Sequence, residues 1–422
     1  MPAPAGTGMT RRSVLARSAG LALAVYGAGK LSVPALDEGI AHAASGPAQP
    51  VLISIFLDGG IDSLSVVGPV SDSRYQKLRP KLRVREGEGR AWTDGWNFSS
   101  AADGFAQLHQ EGKLAMMPAI GYTGPDQSHF TSRHYWEVGA TDAHLRTGWM
   151  GRYLDRHGAK DNPLQGLALS ASLQPVLATA GAPVAAVPSP TDFGFWTPGV
   201  WGDVQERMLE TFGQLAAASG ADHAGRQYAQ AAGDTHTLRR QLTGFPQVAA
   251  PVQYPSVEGE NADDLPKRLR ELAAMLAAGL PLRMVALSYG QFDTHDGQAA
   301  RLPQQIKLAA DSILAFQRDL EARGLADRVL VQVWSEFGRR PEENGEGTDH
   351  GAAGLSMLIG SRVRAQTIGE PPSLTRLDKA GNLIATSDFR GVYSALLEQW
   401  LGVDAGPIIP NASKFARPTL LK

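Results

Sequence analysis

Carboxylate and imidazole side chains recur at four points of the sequence, each after a run of apolar residues. The four segments are LDGGIDSL, GYTGPDQSHF, QFDTHDG and WSEFGRRPEENGEGTDHG. Asp, Glu and His side chains act as general acids, general bases and metal ligands, and a serine hydroxyl beside them is a candidate nucleophile. These residue types predict a chemical site if the fold brings the four segments together.

Each segment taken alone also has an ordinary structural interpretation. An Asp beside glycines is common in turns, because Asp bonds to its own backbone and tolerates the left-handed conformation. A serine at the start of a helix is a good N-cap, so Ser128 has a structural use as well as a chemical one. The THD and TDHG stretches are also compatible with solvated loops. These alternatives stay open for each segment singly.

The order of predicted elements favours a common site. Strands are predicted over residues 50–60, 114–122, 282–290, 328–338 and 354–361, and helices over residues 105–114, 128–139, 265–279, 301–324 and 389–402. Apolar strands that alternate with helices indicate a mainly parallel sheet covered on both faces, a three-layer α/β/α sandwich. Ligands of such sheets bind beyond the carboxyl ends of the strands, where the four segments lie.

A cluster of carboxylates repels itself and loses hydration unless a cation neutralises it, so we expect one or two bound metal ions. Candidate ligands are Asp62, Asp293, His295, Glu336, Asp349 and His350, with Asp58 as a further candidate. Asp and His together suit zinc best, with manganese, iron or calcium as alternatives. The chain has no cysteine, which excludes iron–sulfur and cysteine–zinc sites.

Ser128 is the candidate nucleophile, because a cation lowers the pKa of a nearby hydroxyl and helix amides attract an anion. His129 is its candidate catalytic partner. Arg339 and Trp196 are candidate substrate contacts, the latter within the aromatic stretch FGFWTPGVW. Core packing is the alternative for those aromatic residues.

Residues 1–43 are predicted to be a signal peptide. Arg11 and Arg12 precede a moderately apolar stretch, and an A-x-A pattern ends at Ala43. This pattern resembles a twin-arginine signal, with a general secretory signal as the alternative, and predicts an exported protein that uses the twin-arginine machinery and resides in the periplasm or outside the cell. Residues 44–422 are then one domain, with a cap or insertion at about 160–262.

Composition narrows the class of partner. The 422 residues are 43% hydrophobic and 19% charged, with a net charge of −2. No basic run favours nucleic acid, and no later segment has the roughly 20 apolar residues of a membrane helix. We therefore expect a soluble globular protein without a transmembrane anchor.

Four segments in this order resemble the domain-of-unknown-function 1501 family, exported bacterial proteins grouped with the alkaline phosphatase and sulfatase superfamily. They are SIFLDGGIDSLSVVGP, SHFTSRHYWEVG, YGQFDTHDGQ and VWSEFGRRPEENGEGTDHG. The resemblance implies an alkaline-phosphatase-like fold and a bimetal site that matches Asp62, Ser128, Asp293, His295 and His350, with Thr131 as an alternative nucleophile. Where the superfamily has Asp-His, this chain has Glu336-Phe337, so the second cation would lack one imidazole.

The resulting expectation is an exported metal-dependent hydrolase that acts on phosphate or sulfate esters of a small molecule or glycan. One alternative is a catalytically degenerate envelope or polysaccharide-binding protein that keeps a residual metal pocket. Another is a scaffold for a second exported protein, with a purely structural metal.

Overall fold

The computed structural model describes residues 25–26, 49–159, 162–189, 199–216, 249–257 and 264–422. Within these ranges the strands, in chain order, are β1 (Val25–Tyr26), β2 (Val51–Leu57), β3 (Val67–Gly68), β4 (Ala91–Thr93), β5 (Trp96–Phe98), β6 (Leu114–Gly121), β7 (Gly166–Ala168), β8 (Val184–Ala186), β9 (Met284–Tyr289), β10 (Val329–Trp334), β11 (Arg339–Glu343), β12 (Thr348–His350), β13 (Gly354–Ile359) and β14 (Ser387–Asp388). The α-helices are α1 (Ser63–Val66), α2 (Ser73–Leu78), α3 (Asp103–Gln110), α4 (His129–Val138), α5 (Trp149–His157), α6 (Asp203–Ala216), α7 (Leu265–Ala277), α8 (Gln298–Ala322) and α9 (Phe389–Ala395), and α9 continues into a π-helical segment, Leu396–Trp400.

One large sheet has the strand order β1-β8-β7-β9-β2-β10-β13-β6-β14. Its centre, from β8 to β10, is parallel, which confirms the mainly parallel sheet. Strand β13 is antiparallel to both β10 and β6. The reason is that β10 leads into the β11–β12 hairpin at the carboxyl edge, and the chain re-enters the sheet from that edge without a crossover.

The two faces of the sheet carry separate apolar cores. Along β2, Val51, Ile53 and Ile55 belong to one core, whereas Leu52 and Phe56 belong to the other. This alternation follows from the two-residue period of a strand. Helices α3, α7 and α8 cover the first face and α4, α5 and α9 the second, so the three-layer α/β/α sandwich is confirmed.

The range predicted as a cap or insertion, about 160–262, is described only in part. Strands β7 and β8 lie within this range and extend the main sheet beside β9. The cap or insertion stays a prediction for the rest of the range. Helix α6 lies in the same range. Trp196 lies outside the described residues, as does the predicted signal segment apart from β1, which pairs with β8. Among the described helices, none combines the length and the apolar character that spanning a bilayer demands.

Candidate metal centre

The carboxyl ends of three adjacent parallel strands supply most of the site. The chain leaves β2 at Asp58, β9 shortly before Asp293, and β10 shortly before Glu336. Helix α4 adds His129 at its first position, and the hairpin strand β12 adds His350 at its last. The predicted convergence of distant segments is therefore present.

Three side chains form a group able to hold a metal ion. His129, Asp293 and His350 each offer a ligand atom, and these atoms lie within 4.8 Å of one another. Nε2 of His350 lies 3.1 Å from Asp293 Oδ1, and Nε2 of His129 lies 3.4 Å from Asp293 Oδ2. His295 lies alongside, since its Nε2 is 3.0 Å from Asp293 Oδ1 and 3.0 Å from His350 Nε2.

Each of the three imidazoles is held through its other nitrogen. His129 Nδ1 is 2.6 Å from Glu336 Oε1, His295 Nδ1 is 3.2 Å from Asp349 Oδ1, and His350 Nδ1 is 2.8 Å from the Gln127 carbonyl oxygen. Carbonyl and carboxylate oxygens only accept, so these contacts suit the tautomer with the proton on Nδ1, and in that tautomer the Nε2 lone pair is free to bind a metal ion. Metal-binding histidines are commonly oriented in this way.

The donor set fits a first-row divalent metal. Nε2 of His129 is buried and has no hydrogen-bond partner, which is costly unless something binds there. Imidazole nitrogens with one carboxylate suit zinc, manganese or iron, whereas calcium prefers six or more oxygens. Within the described residues this is the one group of its kind.

Glu336 and Asp349, predicted as ligands, are placed behind the imidazoles instead. The Glu336 side chain is fully buried and accepts hydrogen bonds from the amides of Gly59 and Gly60 as well as from His129. Asp349 is exposed and contacts His295 and Asn344. The prediction of direct ligation needs correction, because these oxygens orient the imidazoles rather than face the group.

The glycine pair after β2 makes this packing possible. Gly59 and Gly60 have φ values of 109° and 68°, a region that favours glycine. A Cβ on Gly59 would lie 2.5 Å from the Asp293 amide nitrogen, and one on Gly60 would lie 2.3 Å from the Phe337 ring. The two residues are needed for the close approach of β2 to the Asp293 and Glu336 segments.

Arg339 holds the same loop from the other side. Its guanidinium donates to the carbonyls of Gly59 and Gly60, to the Thr348 carbonyl, and to Asp293 Oδ1 at 2.7 Å. The side chain is fully buried. The predicted substrate contact is therefore inconsistent with the structure, because Arg339 has no exposed surface to offer.

Phe337 occupies the position where the resemblance implied a missing imidazole. Its ring centroid lies 4.9 Å from that of His129 and 4.8 Å from that of His350. It is buried, at 2% exposure. Phe337 thus packs against two of the candidate ligands and restricts their orientation.

Asp62 does not join the group. It forms a buried ion pair with Arg79 and accepts hydrogen bonds from Ser65 and Gln298, both at 2.6 Å. Burial alone would raise the Asp62 pKa, but the charge and hydrogen bond of Arg79 outweigh it and lower the pKa. The metal-ligand prediction for Asp62 needs correction because Arg79 already supplies the cation. No sequence motif marks Arg79 as that partner.

Ser128 is the N-cap of α4, and its hydroxyl accepts the Thr131 amide at 3.4 Å. The capping interpretation is confirmed, and Thr131 takes part through its backbone. Ser128 directly precedes His129 in the chain. Its role as nucleophile stays a prediction.

Asp58 and Arg133 form a neighbouring pair at the same edge. Asp58 Oδ2 lies 3.4 Å from Arg133 Nη1, and burial raises the Asp58 pKa. Arg133 was not among the sequence candidates. Its position four residues after His129 on a predicted helix was the signal that could have identified it.

The protonation of the group is uneven. Burial opposes ionisation of Asp293, yet hydrogen bonds from Arg339 and His350 lower its pKa to about 2. The bond to Glu336 raises the His129 pKa, whereas burial lowers that of His350. His350 therefore favours the neutral form that metals bind, and His129 gives up a proton more reluctantly.

Three solved structures illustrate what the chain is similar to. A protein in the alkaline phosphatase superfamily from Vibrio parahaemolyticus is 9% identical, with a TM-score of 0.38, over 93% of this chain and 80% of that one. A phosphonate monoester hydrolase from Silicibacter pomeroyi is 10% identical, with a TM-score of 0.38, over 87% and 76%. The PsFucS1 sulfatase from Pseudoalteromonas sp. is 12% identical, with a TM-score of 0.33, over 87% and 72%.

Among curated proteins, none matches the chain in sequence. A family model does match, over residues 49–380, and its description is "Protein of unknown function (DUF1501)". That span includes every element that builds the candidate metal centre. The chain therefore belongs to the DUF1501 family, as its motifs predict.

Proposed function

We propose that this protein is an exported metal-dependent hydrolase of phosphate or sulfate esters. The observation that carries the proposal is the set of three imidazoles, each fixed through Nδ1, whose Nε2 atoms gather around Asp293. A divalent metal held there would act as a Lewis acid on an ester oxygen.

The chain's own residues have distinct parts in this proposal. His129, Asp293 and His350 hold the ion, with His295 as an added ligand, and Glu336 and Asp349 keep imidazoles oriented. Helix α4 starts at the centre, so its first amides favour an anionic group. Ser128 is the nucleophile, since its hydroxyl stands at this helix start. The substrate is an ester of a small molecule or glycan.

Metal analysis and turnover assays test the proposal. The purified protein should contain about one equivalent of divalent metal, and it should cleave a chromogenic phosphate or sulfate ester until a chelator is added. Ser128→Ala should abolish turnover while keeping the fold. The matched control is Ser373→Ala, because the Ser373 hydroxyl also accepts an amide three residues on, from Arg376. Equal rates in wild type and Ser128→Ala would remove Ser128 from its role.

A second candidate function is a glycan-binding protein that keeps the metal pocket without turnover. Two observations favour it: the Ser128 hydroxyl is used as a helix cap, and Phe337 adds a ring where a second ion would need a ligand. This candidate predicts metal content without ester cleavage, together with glycan retention that survives both chelation and Ser128→Ala.

A further inference from the structure

Two arginines lie near the candidate metal centre, and they differ in accessibility. Arg339 is fully buried, with its donors on backbone carbonyls and Asp293. The Arg133 side chain is 27% exposed. Residues four apart on a helix share a face, so Arg133 stands on the His129 side of α4. Of the two, Arg133 is the one that a ligand can reach.

The Arg133 guanidinium is held in a fixed direction. Its Nε donates to Glu137 Oε1 at 2.9 Å, and its Nη2 donates to Gln174 Oε1 at 3.2 Å. The central carbon, Cζ, lies 4.5 Å from the centroid of the Phe56 ring. Glu137 is itself buried. Binding a ligand would therefore cost little side-chain entropy, since the cation is already positioned.

The remaining contact of Arg133 is loose. Nη1 lies 3.4 Å from Asp58 Oδ2, whereas a charge-assisted bond to a carboxylate is typically about 2.7–2.9 Å. The Asp58 side chain is 47% exposed. A guanidinium has five N–H donors, and three contacts to described side chains account for only part of them. Donor capacity therefore remains on this partly exposed guanidinium.

We infer that Arg133 forms an anion subsite beside the His129–Asp293–His350 centre and binds the non-bridging oxygens of a tetrahedral phosphate or sulfate group. This inference rests on the proposed function. Bidentate oxyanion binding suits a planar guanidinium better than an ammonium. Asp58 opposes the subsite, because its carboxylate competes for the same donors and repels an incoming anion.

Binding of inorganic phosphate and inorganic sulfate to the zinc-loaded full chain tests the subsite by calorimetry. Arg133→Gln should weaken the better-bound anion by about 10- to 100-fold, the range for bonds to a charged group. Arg133→Lys should recover only part of the loss. Arg417→Gln is the matched control, because Arg417 is 29% exposed and also pairs with a glutamate, Glu398. The control should bind the anion like wild type.

A double variant controls for misfolding of Arg133→Gln. Arg133→Gln leaves the buried Glu137 without its cation, so the double variant Arg133→Gln/Glu137→Gln removes that charge and should show the same loss of anion binding.

Asp58→Asn should act in the opposite direction and tighten anion binding several-fold, with metal affinity unchanged. Weaker metal binding in Asp58→Asn would instead make Asp58 a ligand and contradict the inference.

The two proposals fail in different ways. A wild-type protein that takes up no divalent metal refutes the proposed function, and the subsite falls with it. A protein that binds zinc but has equal anion affinity in wild type and Arg133→Gln, or has none at all, refutes the subsite and leaves the metal centre standing.

Discussion

Asp62 and Asp293 both follow a buried strand of the same sheet, and both have a lowered pKa, yet their surroundings differ. The Asp62 side chain is 1% exposed and paired with Arg79, which is also buried. The Asp293 side chain is 45% exposed and contacts imidazoles as well as the Arg339 guanidinium. Both carboxylates contact an arginine, but Asp62 is closed off by burial, whereas the exposed side of Asp293 leaves room for an added ion.

The largest expected effect is on metal binding. His350→Ala removes a nitrogen from the group and should weaken divalent-metal affinity by more than the roughly 10- to 100-fold typical of supporting residues. Metal titration by calorimetry measures it. His134→Ala is the control, because His134 lies on α4 as well but its Nε2 contacts the Asp142 carbonyl. Unchanged affinity in His350→Ala would place the ion elsewhere.

The second largest effect is on the free energy of unfolding, and it follows from substitution of Asp62. Asp62→Ala leaves Arg79 buried without a counter-charge, which should lower the free energy of unfolding by ~3–5 kcal/mol. Denaturant unfolding measures it, and metal stoichiometry should stay as in wild type. The matched control, Asp311→Ala, breaks an exposed pair with Lys307 and should cost less than about 1 kcal/mol. A loss of metal in Asp62→Ala with intact stability would reverse the two assignments.

The third effect concerns the residues that orient imidazoles. Asp349→Asn should weaken metal affinity by about 10- to 100-fold, because the support of His295 is reduced. Asp349 is 54% exposed, so the free energy of unfolding should change by less than about 0.5 kcal/mol. An effect as large as that of His350→Ala would make Asp349 a direct ligand, as the sequence suggested.

The smallest effect is a difference in pH window. Glu336 raises the His129 pKa, so the metal must displace a proton, and metal affinity should already fall as pH drops through neutrality. The Asp62 pair is different: its folded-state pKa is lowered, so its contribution to stability is complete above the unfolded value of about 4 and is lost as pH falls below it. Metal affinity and unfolding free energy, each measured across pH, should therefore decline in separate ranges.

Much of the fold could be predicted from the sequence because its elements have strong local signals. The apolar runs at β2, β6, β9, β10 and β13 and the periodic helices α7 and α8 appear where their patterns predict them. The direction of β13 could not be predicted, since it depends on the hairpin that precedes it. The membership of β7 and β8 in the main sheet could not be predicted either, because three residues are too few to show the alternation of a strand.

In the candidate site, too, some features follow from the sequence and others only from the tertiary structure. The sequence alone determined which segments end at the carboxyl edge of the sheet, because strand and helix periodicity fix where each loop begins. Only the tertiary structure decided that Glu336 supports His129 and that Asp62 pairs with Arg79. The physical reason is that a carboxylate becomes a ligand, a support or half of an ion pair according to which charges and donors lie within about 3 Å, and those neighbours come from distant parts of the chain.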